Sequence, residues 1–207
     1  MKPLLIKKIF YNFLILVTFL NTVFCIDSLI PDQNQKNWTI LNNKDIWVGY
    51  KYSDDLPWVR SVAELPYSIE KITPLIGNFE IYSNIFLRII ESKVIDSTNN
   101  IVYLKIDMPI FNDRDYIVKY KSYEDNTDVI FEWYSIIDEE VPEYDNIVRL
   151  KRAAGQWRLT PKSNDVTLIS YTWNGELLGN FPNFYLTTAW ETQGKEIIEW
   201  LSEALNK

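Results

Sequence analysis

The chain has 207 residues, room for one ordinary domain. Its net charge is −7, and residues 1–25 hold three lysines and no acid, so the remainder is more acidic still; a nucleic-acid binder, which needs a basic footprint, is excluded. There is no histidine, and the one cysteine is Cys25, which removes Ser-His and Cys-His catalytic pairs, histidine or cysteine zinc sites and disulfide frameworks.

Residues 1–25 read as a secretory signal peptide. Lys2, Lys7 and Lys8 precede an apolar run from Phe13 to Leu20, and Val23-Phe24-Cys25 offers a cleavage site, so the mature chain is expected to begin at Ile26. Two alternatives stay open. The longer run Ile9–Phe24 could anchor the chain in a membrane, although Asn12, Thr18 and Asn21 interrupt it and a span needs about 20 mostly apolar residues. Cys25 could instead be lipidated, although Thr22-Val23-Phe24 is a poor lipobox. The expected location is the periplasm or the exterior.

Residues 26–37 are polar and aperiodic, and read as an N-terminal linker; a single domain is expected over 38–207. Within it, 46–52 and 58–65 are β-prone runs separated by an Asp54–Pro57 turn. Ser68 can cap a short helix carrying Ile69, Ile72, Leu75 and Ile76, limited by Pro74. A strand over 87–95 follows. Val102, Leu104 and Ile106 then alternate with polar partners, as do Tyr116, Val118 and Tyr120, and Val129, Phe131 and Trp133 share a face opposite Glu132. Residues 148–152 and 156–159 read as one strand region with a bulge near Gly155, and 166–173 as the last strand. From Thr187 to Leu205 the apolar residues Trp190, Ile197, Ile198, Leu201 and Leu205 form one helical stripe. The fold class is therefore α+β: two strands, a helical insert, about six more antiparallel strands, and a long terminal helix gripped by a curved sheet.

Several stretches together resemble the START (steroidogenic acute regulatory protein-related lipid transfer) domains, of helix-grip fold. Met108-Pro109-Ile110-Phe111-Asn112-Asp113-Arg114-Asp115-Tyr116 is similar to the family's Pro turn followed by Arg-Asp and a strand. Gly155-Gln156-Trp157-Arg158-Leu159-Thr160-Pro161 resembles its Gly-x-Trp-x-Leu-x-Pro strand. The strand 166–171 with Gly179-Asn180-Phe181-Pro182 resembles its Gly-x-x-Pro turn before the last helix, and Leu65-Pro66-Tyr67-Ser68 its first internal helix. The likeness runs in order over about 38–205. It departs at Asn174-Gly175-Glu176-Leu177-Leu178-Gly179, where the family often shows Asp-Pro-Gly-Gly.

The resemblance implies an internal cavity that holds a lipid or other apolar small molecule without chemical change, in a carrier or a sensor. It implies transient membrane contact, a monomer and no cofactor. Alternation, with that fold, nominates Val118, Tyr120, Phe131, Trp133, Trp157, Leu159, Tyr171 and Trp173 on the sheet and Trp190, Ile197 and Leu201 on the helix as ligand-facing. The rival reading of these aromatics is an ordinary sheet core, since sheets favour them. Two further rivals are an enzyme built on such a cavity and a structural protein whose core is filled. Arg114-Asp115 reads as a turn ion pair or strand-end hydrogen bonds holding the strand register, or as a charge at the cavity rim. Glu139, Glu140, Glu143 and Asp145 read as a solvated loop without EF-hand spacing, not a catalytic pair or metal site. The loop from Gly175 to Pro182 is expected to act as a hinge for the terminal helix.

Overall fold

The computed structural model describes residues 30–207, so the expected signal peptide, Cys25 and the expected start at Ile26 lie outside the described residues. Three strands open the domain: β1 (Thr39–Asn43), β2 (Trp47–Ser53) and β3 (Leu56–Leu65). Sequence expects two, because TILNN carries little apolar signal and stands at a sheet edge. β2 and β3 join through a two-residue turn in which Asp54 and Asp55 both have positive φ, the geometry that matches strand twist. Leu56 and Pro57, expected in the turn, belong to β3.

The insert is α1 (Ile69–Ile76), a 3₁₀ turn over Phe79–Ile81, and α2 (Tyr82–Ile85). Ser68 sits at the N-cap of α1 in extended conformation, but its side chain makes no capping hydrogen bond. Then come β4 (Ile89–Asp96), β5 (Ile101–Ile106), β6 (Asp113–Asp125), β7 (Asp128–Ser135), β8 (Ile147–Arg149), β9 (Ala154–Ser163), β10 (Val166–Asn174) and the terminal α3 (Leu186–Leu205).

The strands form one sheet in the order β1-β2-β3-β10-β9-β7-β6-β5-β4. Neighbours are antiparallel; β8 alone lies parallel, beside the start of β6. The single region expected over 148–159 is thus two strands. β8 is drawn to β6 by pairing of Arg149 with Asp115, while β9 runs between β7 and β10. Gly155 marks no bulge. It pairs in register with Trp133 and Trp173, and a Cβ there would collide with the Trp133 indole.

Pairing of β10 with β3 joins the two ends of the chain and curves the sheet around α3. The buried stripe of α3, Trp190, Gly194, Ile197, Ile198, Leu201 and Leu205, faces inward. The helix crosses β2 and β3 closely at Gly194, where a Cβ would lie 2.5 Å from Ser61 Oγ. The main core fills the concave face, between the sheet and α1–α3.

The convex face has a smaller core of Leu56, Trp58 and Ala154, covered by Ile30, Trp38 and Tyr134. Read in sequence as a loose linker, residues 30–37 are held here by Arg60. Its guanidinium donates to the carbonyls of Pro31 (2.6 Å), Asp32 and Gln33, and to Thr172 Oγ1 (2.7 Å), with the Trp38 ring at 4.7 Å. Burial lowers Arg60 to about 10, partly offset by Asp32. A backbone carbonyl is available at any residue, so no side-chain pattern announces this docking.

Candidate functional site

Period-2 alternation places successive inward residues of β6, β7, β9 and β10 side by side across the ladders: Tyr120 opposite Trp133, Phe131 opposite Trp157, Trp157 opposite Tyr171. The result is a sheet of rings. Trp157 and Tyr171 centroids lie 4.2 Å apart, Tyr171 and Trp173 5.0 Å, and Tyr116 stacks on Trp133 at 5.6 Å. The insert closes the ring from above. Phe79 contacts Tyr82 and Tyr120, Tyr82 packs edge-on against Phe86, and Phe86 lies over Trp157.

At the centre is a cavity of about 20 Å³, room for about one water molecule. Of the nominated residues, Trp133, Trp157, Tyr171 and Ile197 line it. Val118, Phe131, Leu159, Trp173, Trp190 and Leu201 are buried in the same core away from the cavity wall, and Tyr120 packs partly buried against that core. Sequence reasoning missed Phe79, Tyr82, Phe86, Ile89, Leu104 and Tyr116 as lining residues. Leu104 and Tyr116 stand in alternating runs, so their signal was present. Phe79, Tyr82 and Phe86 lie at helix-like spacings of three and four, but their elements are too short to show a stripe.

The cavity wall carries hydroxyls but no charged side chain. Tyr82 donates to the Ile76 carbonyl at 2.6 Å. The hydroxyls of Tyr116 and Tyr171 have no hydrogen-bond partner among the described residues. Burial pushes all three phenols well above the ordinary tyrosine range, so each is neutral.

Of the two structural readings of Arg114-Asp115, the ion pair between them is absent and the strand-end hydrogen bonds are present: the two side chains point to opposite sides and each finds other partners. Asp115 is buried and takes a bidentate ion pair from Arg149 (2.7 and 2.9 Å) and a hydrogen bond from the Tyr103 hydroxyl (3.2 Å). Arg114, 1% exposed, donates to three carbonyls: Leu177 (2.9 Å), Leu178 (3.0 Å) and Asn112. Burial holds its pKa below the usual arginine value, with Asp113 opposing. It also lies against the Phe181 ring, which meets Phe111. One cation thus ties the turn before β6 to the loop before α3.

Of the two glycines expected to give that loop hinge freedom, Gly175 is tightly packed. Gly175 donates to the Pro57 carbonyl (2.7 Å) and accepts from Trp190 Nε1 (2.7 Å), and a Cβ there would lie 2.7 Å from the same nitrogen. It is a close-packing position. Leu178 and Gly179 have positive φ and shape the tight bend that Arg114 holds.

Exposed apolar residues stand near both segments that Arg114 ties together. Ile110 is fully exposed at the tip of the β5–β6 turn, and Phe184 and Tyr185 stand exposed and in ring contact at the start of α3. A larger concavity, about 490 Å³, lies elsewhere: an open groove with polar and apolar walls between the outer face of β4–β5 and residues 140–147. Among the described residues there is no metal-binding cluster, and no helix is long and apolar enough to cross a membrane.

No protein-family model and no curated protein matches this sequence. Solved structures do match in fold. A STAR-related lipid transfer protein from Xanthomonas axonopodis superposes with a TM-score of 0.73 at 17% identity, over 83% of this chain and 100% of that one. Human STARD10 gives 0.73 at 15% identity (86% and 81%), and human StAR-related lipid transfer protein 5 gives 0.71 at 14% (84% and 88%). A curved antiparallel sheet around a long terminal helix, in the same arrangement, makes this a START-like helix-grip fold.

Proposed function

We propose that this protein binds a lipid or other apolar small molecule between the sheet and α3, as a carrier or sensor, without altering it. One observation carries the reading: the aromatic rings of β6, β7, β9, β10 and the insert converge on an interior that retains two unpartnered hydroxyls. The solved neighbours described as lipid transfer proteins support it. The driving force would be burial of ligand apolar area, about 25 cal/mol per Å² before the costs of association.

A space of about 20 Å³ holds no lipid, so the ligand must displace side chains and α3 or its preceding loop. Arg114 is the latch on that loop in this reading. The exposed Ile110, Phe184 and Tyr185 beside it would meet a bilayer while the loop opens. The acidic body gives no reason to expect a preference for anionic membranes. Residues 1–25 would direct export, and the chain would act as a monomer in the periplasm or outside the cell.

The tight interior favours one other reading, a structural or adaptor protein with a filled core. Organic extraction of protein purified without detergent, followed by mass spectrometry, separates the two. Lipid carriage predicts a copurifying apolar compound near one per chain. Extracts that stay empty, even after incubation with cell lipids, would favour the filled core.

A further inference from the structure

The lining of the interior cavity sorts candidate ligands by their polar group. Its side chains are Phe, Tyr, Ile, Leu and Trp only, so an ionised carboxylate, phosphate or ammonium brought inside would have no counter-charge. A fully apolar ligand filling the cavity would leave the hydroxyls of Tyr116 and Tyr171 without a partner once the site is closed, a state proteins ordinarily avoid. Tyr116 and Tyr171 are buried residues, each 7% exposed, and both line the cavity.

Their positions are fixed. Tyr116 is stacked on Trp133 with the ring planes 6° apart, and Tyr171 is held between Trp157 and Trp173. A phenol clamped by its neighbours is preorganised as a donor and an acceptor. The hydroxyls also sense one another: Tyr116 and Tyr82 each add to the upward shift of Tyr171, after burial itself. Tyr82 already gives its proton to Ile76, so Tyr116 and Tyr171 remain for a ligand.

Resting on the lipid-binding reading above, we infer that the ligand is a neutral lipid with a hydroxyl or carbonyl group, seated with that group inward against Tyr116 and Tyr171. Charged-headgroup lipids are disfavoured at this depth. The selection combines a missing counter-charge with two unmet hydrogen bonds, as in sites that reject an analogue lacking the matching polar group.

The test uses three probes that share one alkyl chain: 1-dodecanol, dodecanoate at neutral pH, and dodecylphosphocholine below its micellar concentration. Binding is read by tryptophan emission. The inference expects dodecanol to bind at least about tenfold more tightly than either charged probe. In Tyr116→Phe/Tyr171→Phe that lead should collapse to within about threefold, and the melting temperature should not fall, because only unpartnered hydroxyls are removed. If the double variant does not fold, each single variant should lose part of the lead. A lead unchanged by the variants, or equal or tighter binding of a charged probe, overturns this inference while leaving lipid binding intact. Failure of all three probes to bind would overturn the lipid-binding reading, and this inference with it.

Discussion

On β7, Phe131 and Trp133 enter the aromatic interior, while Glu132 between them meets Lys121, Tyr123 and Gln156 on the outside. On β9, Trp157 and Leu159 go in, and Arg158 goes out to Asp125 and Asp128. On β10, Tyr171 goes in, and Thr172 goes out to the Arg60 that pins residues 31–33. The concave face is held by non-directional packing, which a different apolar body can replace. Beyond its small core around Trp58, the convex face is held by directed bonds to particular partners, which an apolar body cannot replace. A sheet built this way can open on one side and stay rigid on the other.

The largest effect should come from putting a charge on the concave side. Leu201 is fully buried on α3, so Leu201→Asp should destabilise by several kcal/mol, and Leu201→Ala by about 2–5 kcal/mol. Urea unfolding measures both. If Leu201→Asp melts like the wild type, α3 does not pack on the sheet.

Next is loss of a partner on the other side. Asp115→Ala strands the Arg149 guanidinium, whose side chain is 7% exposed, and should cost about 3–5 kcal/mol. Replacing an exposed partner nearby shows the contrast: Lys151→Ala breaks a half-exposed pair with Glu143 and should cost no more than about 1 kcal/mol. Equal losses in these two variants would mean that burial does not set the strength of the convex pairs.

Alkali separates the faces differently. Tyr82, Tyr116 and Tyr171 have folded pKa values raised above 10.0 by burial. The folded chain therefore keeps protons that the unfolded chain releases. Stability from these groups is complete below about pH 10 and falls above it, by up to about 1.4 kcal/mol per pH unit for each tyrosine. Urea midpoints measured across that range should drop steeply, and less steeply in Tyr116→Phe/Tyr171→Phe. A flat profile would mean that water reaches these hydroxyls.

How much of this was legible in the sequence follows from the same contrast. Faces of β5, β6, β7, β9 and β10 could be read because one side of each is apolar and the period is two. The stripe of α3 was legible because 20 residues give it over five turns. β8, with three residues, offers no period, and its parallel pairing depends on Asp115, distant in the chain. Phe79 and Tyr82 lie in elements of three and four residues and Phe86 just past the second, so three of the cavity's seven aromatic lining residues gave no stripe. Arg114 was visible as a motif, but its partners are main-chain carbonyls of residues 112, 177 and 178, which no side chain advertises.

On the lipid-binding reading, a ligand occupies the concave interior. Titration with a brominated dodecanol tests it most directly, because bromine quenches only the tryptophans it reaches. Trp133 and Trp157 line the cavity, while Trp38 and Trp58 lie on the convex side. The account predicts saturable quenching in the wild type that is mostly lost in Trp133→Phe/Trp157→Phe, with binding, followed by calorimetry, still present. Quenching of the same depth in that variant, or binding with no quenching in the wild type, would place the ligand elsewhere and contradict it.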